Sequence, residues 1–154
     1  GPHGLNAPVM TQIAFHLNAP DKLAYACRFA RKALRNDARL VITAPAATLA
    51  VLDQMLWAMA SHDFVAHCRD DADADLVVAS PVLLAVDVRA TAHHEVLLNL
   101  HSGVPEGFAR FGRVVEIVGV QDGEHVVQEA LARRRHYESL GYVPKKHDLA
   151  LKAA

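Results

Sequence analysis

Residues 128–142, QEALARRRHYESLGY, carry the side chains best suited to holding an anion. The composition favours a helix, contains no proline and meets a stop at Gly141. At the helical period, Val126, Ala130, Arg133, Tyr137 and Leu140 fall on one stripe. Arg133 then lies between a small residue at i−3 and an aromatic ring at i+4. Such a setting suits a carboxylate attached to an apolar group. The guanidinium takes the carboxylate bidentately, the ring packs the apolar part, and a strand residue such as Val118 extends the slot. Arg134, Arg135, Lys145 and Lys146 add a looser positive field. A solvated basic helix face is the plainer reading, since charge runs usually mean only that.

Other chemistries find less support. Ten histidines raise the question of a metal. His93 and His94 are adjacent and would point apart on a strand, while His62 and His67 stand near Cys68 without a ligand spacing. No metal is expected. No GxSxG elbow occurs, and Ser61, Ser80, Ser102 and Ser139 have no distinguishing context, so no catalysis is expected. A phosphate-binding turn after the first strand would need glycines. Here that turn reads HLNAPD, without glycine and with Asp21 to repel a phosphate, and no P-loop occurs. No cofactor is expected.

The 154 residues are enough for one domain with a real core. They are 52% hydrophobic and carry charges of both signs, with a net charge of −1. That balance excludes a disordered chain, and it is not the field of a protein that grips duplex DNA by its phosphates. No apolar run of membrane-spanning length appears. Cys27 sits on an apolar helix stripe and reads as a reduced core thiol; without a secretory signal the cytoplasm is the expected compartment. Residues 1–9 resemble a protease-cleavage scar, leaving a domain over residues 10–150.

Elements that could position these residues follow in order. Residues 11–17 alternate as a strand with Ile13, Phe15 and Leu17 on one face. A helix follows, capped by Asn18 or Asp21, with Leu23, Ala26, Cys27, Ala30, Ala33 and Leu34 inward. Residues 39–44 read as a buried strand. A second helix runs from Pro45 through Met59 on a stripe of Leu49, Leu52, Leu56 and Met59, with Trp57 roughly 120° off that stripe. Residues 69–75 read as an exposed acidic loop and 76–88 as short extended segments. Strands are expected at 95–100 and 113–118, with a helical turn between at 106–111. The tail from Val143 adds a short edge segment or frays. Alternating strands and helices predict a single Rossmann-like α/β domain: a mainly parallel sheet with helices on both faces.

One motif is specific. Leu52-Asp53-Gln54-Met55-Leu56-Trp57-Ala58 followed by Phe64-Val65-Ala66-His67 resembles the LDxxLW…FxPH signature of the chi subunit family of bacterial DNA polymerase III. The family often has proline where Ala66 stands. Residues 132–137, with Gly141-Tyr142 after them, are similar to that family's last helix, and the likeness extends over residues 10–150. The resemblance implies a non-enzymatic adaptor of the clamp loader, without bound nucleotide. Chi pairs with the psi subunit, and Trp57, Phe64 and His67 would face psi. Chi also grips the acidic C-terminal tail of single-stranded DNA-binding protein (SSB), which ends in an apolar residue with its carboxylate. Arg133 and Tyr137, with Val118, Arg134, Arg135, Lys145 and Lys146, would take that tail. The rival from another class is a small α/β nucleotide-binding protein or enzyme with a diverged phosphate loop. Direct single-stranded DNA binding by the C-terminal basic patch ranks last, because its cations are few and no row of exposed aromatics accompanies them.

Overall fold

The computed structural model describes residues 10–152, so the cleavage-scar reading of residues 1–9 lies outside the described residues. Seven parallel strands form one sheet. They are β1 (Gln12–Ala19), β2 (Leu40–Thr43), β3 (His67–Arg69), β4 (Val82–Ala85), β5 (Val96–Asn99), β6 (Arg113–Gly119) and β7 (Lys145–Asp148), in the order β3-β4-β2-β5-β6-β1-β7. Helices α1 (Lys22–Arg35), α2 (Ala46–Trp57), α3 (Ala74–Ala79), α4 (Glu124–Ser139) and α5 (Leu149–Lys152) join them, with a 3-10 turn over Phe108–Arg110. The expected Rossmann-like α/β domain is the observed one.

The central strands β2 and β4 are buried along their whole length, as a strand covered by helices on both faces must be. Two cores follow from strand alternation. Val115 and Ile117 turn toward α1 and α2, where Ala26, Ala30, Leu49, Leu52 and Leu56 meet them. Ile13, Phe15 and Val114 turn toward α4 and pack with Tyr137, Phe108 and Phe111. Asp21 caps α1, its carboxylate accepting from the Ala24 N–H at 3.1 Å. Asn18 takes a left-handed backbone (φ 64°) where the β1–β6 register slips, and its side chain donates to Asp148 at the end of β7 at 2.9 Å.

One segment departs from the sequence expectation. Residues 74–79 form α3, not an extended segment, and none of its residues is buried. The last long helix begins at Glu124, so the stripe residue Val126 lies within it as expected, and ends at Ser139 with Leu140 as its cap and Gly141 left-handed beyond it (φ 94°). The tail takes the first of its two expected forms, an edge segment: β7 runs parallel to β1, with Lys146 opposite Phe15 and His147 opposite His16.

Candidate functional site

Two clusters of predicted residues sit at opposite edges of the sheet. The first gathers the residues of the tryptophan motif. Leu52 and Leu56 are buried and fix α2 on the core, which leaves Trp57, at the end of the helix, 64% exposed. Its indole lies 5.2 Å from the Phe64 ring and 5.2 Å from the His67 ring. His67, at the start of edge strand β3, is buried. Its Nδ1 lies 2.8 Å from the Val65 carbonyl and its Nε2 lies 2.9 Å from Asp53, one helical turn before Trp57. Asp53 also reaches Arg69 at 3.6 Å. The spacing of Asp53, Trp57, Phe64 and His67 therefore encodes a bracket: acid and imidazole lock the loop onto the helix, and two aromatic side chains are presented. Phe64 is half-buried beside Trp57. For His67 the expected outward role is corrected, because its ring is enclosed and its nitrogens are committed inward.

The second cluster is the expected anion site on α4, and here the inner stripe needs a larger correction. Ala130, Arg133 and Tyr137 do share one face, but that face points into the core. Arg133 is 6% exposed. Its Nε donates to Glu116 at 2.8 Å and its Nη1 to the Ser102 carbonyl at 2.9 Å. Tyr137 is fully buried and its hydroxyl donates to Glu116 at 2.7 Å, while the Asn99 amide donates to the same carboxylate at 2.9 Å. The stripe does hold a carboxylate, as its chemistry predicts, but an internal one from β6. Burial pushes the Glu116 carboxyl up, and Arg133, Asn99 and Tyr137 pull it back. Burial, followed by the neighbouring Glu116 charge, raises the Tyr137 phenol far above its ordinary range.

One step round α4 the surface is different. Phe15, Leu17, Val118, Val127, Ala130 and Leu131 line an apolar pocket of about 160 Å³, with Arg134 and Lys146 beside them. A cavity of ~150 Å³ accepts benzene, so this one is the size of a single aromatic side chain. Among the described residues, Arg134 holds only a loose contact to Glu138 at 3.5 Å on the helix surface. Val118 was expected in the apolar slot, and Arg134 and Lys146 in the looser field around it. Phe15, Leu17, Val127 and Leu131 were not, although strand alternation already put Phe15 and Leu17 on one face. Arg135 is exposed on α4 and outside the pocket lining. Lys145 pairs with Ala14, one register step from Lys146, so alternation turns it to the other face of the sheet.

At the carboxyl ends of β1 and β6, where related folds bind phosphates, the chain supplies its own carboxylate. Asp122 accepts from the Gly119 N–H at 2.9 Å and from the Lys22 ammonium at 3.3 Å. A Cβ on Gly119 would stand 2.9 Å from the Lys22 side chain, so the glycine serves this close contact.

The sequence matches the family model described as "DNA polymerase III chi subunit, HolC" over residues 10–145. A protein of Pseudomonas aeruginosa PAO1 named "DNA polymerase III subunit chi" is 29% identical over 145 residues, covering 91% of this chain and 98% of that protein.

Proposed function

The chain belongs to the DNA polymerase III chi subunit family, that of an accessory subunit of the replicative polymerase, and from this premise we propose that it is a non-catalytic adaptor with two protein-binding surfaces. One surface takes the acidic C-terminal tail of single-stranded DNA-binding protein. The other, around Trp57 and Phe64, takes the psi subunit of the clamp loader. Among the described residues no helix is long and apolar enough to cross a membrane, and the cytoplasm is the proposed compartment.

The observation that carries the tail reading is the α4 pocket. A slot of about 160 Å³ walled by Leu17, Val118 and Leu131 suits one apolar terminal residue, and Arg134 and Lys146 beside it suit that residue's carboxylate. Arg134 takes the anchoring role expected of Arg133, whose guanidinium is occupied by Glu116. Arg135, exposed on the same helix, contributes to the outer field for the tail's aspartates.

Titration with an acidic peptide ending in phenylalanine tests the reading. A charge-assisted hydrogen bond is worth ~1.5–3 kcal/mol, so Arg134→Ala is expected to weaken binding at least roughly tenfold. Arg135→Ala and Lys145→Ala, at the rim or beyond it, are each expected to cost no more than a few-fold. A peptide lacking the terminal phenylalanine is expected to lose most affinity. Equal binding of the truncated peptide, or of Arg134→Ala and wild type, would remove the tail from this site.

A further inference from the structure

On the α1 side of the sheet a cavity of about 340 Å³ opens between α1, β1, β6 and β7. Three cations line it, Arg28, Lys32 and Arg113, and no carboxylate is among its lining residues. Among the described residues none of the three forms an ion pair, whereas Arg31 and Arg133 do. Two of the cations stand over rings: the Arg28 guanidinium lies 5.8 Å from the centre of Tyr25 and that of Arg113 lies 6.0 Å from the centre of Phe29. His147 stacks on His16 with ring centres 5.1 Å apart and planes 26° from parallel, and His16 Nδ1 lies 2.6 Å from the Tyr25 hydroxyl. The wall is thus a set of aromatic rings held in fixed relation by contacts among themselves, with uncompensated positive charge at its edge.

We propose that this cavity binds a nucleotide unit, a phosphate joined to a planar base. Cations alone would serve any anion, and rings alone any apolar group. Their combination within one cavity selects a ligand that carries both. The volume lies within the ~300–1,000 Å³ of small-molecule sites. The unit can come from a free mononucleotide or from a single strand of DNA, and the chemistry is shared. The site does not rest on the adaptor reading, since neither the Trp57 cluster nor the α4 pocket contributes to it. It is also separate from the carboxyl ends of β1 and β6, where Asp122 already fills the phosphate position. This cavity is assembled from α1 and four strands, apart from the C-terminal basic patch considered in the sequence for single-stranded DNA.

The test uses the full chain, a ten-residue deoxythymidine oligomer, deoxythymidine monophosphate and inorganic phosphate, with binding followed by calorimetry at several salt concentrations. Arg28→Ala and Arg113→Ala are surface changes, and each is expected to weaken binding several-fold. Each is also expected to flatten the salt dependence of the oligomer by about 0.7 in log–log slope. His147→Ala, which removes a ring and no carboxylate partner, is expected to weaken binding without changing that slope. Arg89→Ala makes the same change in net charge on another surface and is expected to bind like wild type. Competition by the mononucleotide at the oligomer's own concentration range identifies a free nucleotide as the source; binding by the oligomer alone identifies a strand. The proposal is overturned if neither nucleotide ligand binds, if inorganic phosphate competes as well as either, or if Arg28→Ala and Arg113→Ala bind as Arg89→Ala does.

Discussion

Glu116 sits fully buried in the middle of β6 and takes three donors, from Arg133, Tyr137 and Asn99. Its partners are therefore structural, and two predictions follow from the physics of buried charge. Arg133→Ala strands the carboxylate without its counter-charge, which costs ~3–5 kcal/mol. Arg134→Ala, on the surface, is expected to stay within about 0.5 kcal/mol of wild type. Denaturant titration of the two variants separates them, and equal stabilities would put Arg133 back at the surface. Replacing the pair together, as Glu116→Gln with Arg133→Met, is expected to cost less than Arg133→Ala alone, because no lone charge is left. Tyr137 gives a pH signature. A phenol whose folded pKa lies above its unfolded value keeps its proton longer in the folded chain. Its contribution is full below about pH 10 and is lost as pH rises beyond it, by ~1.4 kcal/mol per pH unit. Tyr137→Phe is expected to lower stability at neutral pH and to reduce this alkaline loss, leaving the contribution of Tyr25, whose burial also raises its phenol. An unchanged slope in Tyr137→Phe would place the titration elsewhere. The sequence held a signal for this network: in RVVEIV, strand alternation gives Glu116 the same side as Val114 and Val118, a carboxylate aimed at the core. A run of three arginines hides which one answers it, since only helical phase distinguishes Arg133 from its neighbours.

Elements with a buried stripe were legible in full, and elements without one only in part or not at all. The stripe of Leu49, Leu52 and Leu56 located α2 and set Trp57 outside it, as found. By contrast α3 buries none of its residues, so no periodicity announces it; it is six residues long, and Leu76 and Val78 remain exposed. Strand β7 reads KKHD with its first three residues exposed, and it forms because the free edge of β1 offers a ladder, not because its own side chains ask for one. The bracket of Asp53, His67 and Trp57 was legible as a spacing; its geometry required the fold, because Asp53 and His67 are fourteen positions apart. Its mechanics make a prediction for the element. Trp57→Ala removes an exposed ring and is expected to leave the thermal midpoint nearly unchanged while weakening co-purification with psi. His67→Ala leaves Asp53 without its nearest partner and frees the Trp57 ring, so it is expected to lower both stability and psi binding. A Trp57→Ala variant that unfolds would return the indole to the core, and one that pulls down psi undiminished would remove it from that surface.

Across the whole molecule, the sheet order separates the two proposed surfaces. His67 opens β3 at one edge and Lys146 lies in β7 at the other, six strand spacings away. At ~4.8 Å per spacing this is roughly 29 Å. The strands between are parallel and hydrogen-bonded throughout, and no residue of the Trp57 cluster lines the α4 pocket. A spacer of this kind would let the two proposed partners bind at once without making either depend on the other. The two surfaces also differ in kind. The α4 pocket combines an apolar slot with cations, so tail binding is expected to weaken as salt rises. The paired rings of Trp57 and Phe64 form an apolar contact, and psi binding there is expected to respond far less to salt. Changes further apart than ~7–10 Å with no shared partner add within ~0.3–0.5 kcal/mol. The double variant Trp57→Ala with Arg134→Ala is therefore expected to lose psi affinity as Trp57→Ala does and tail affinity as Arg134→Ala does. Saturating the protein with tail peptide is expected to change its psi affinity by less than about twofold. Calorimetric titration of psi into the free and the peptide-saturated chain, at two salt concentrations, measures both properties. A tenfold shift in psi affinity on adding peptide would mean that the sheet transmits a change between its edges, and the rigid-spacer account would have to give way to a coupled one.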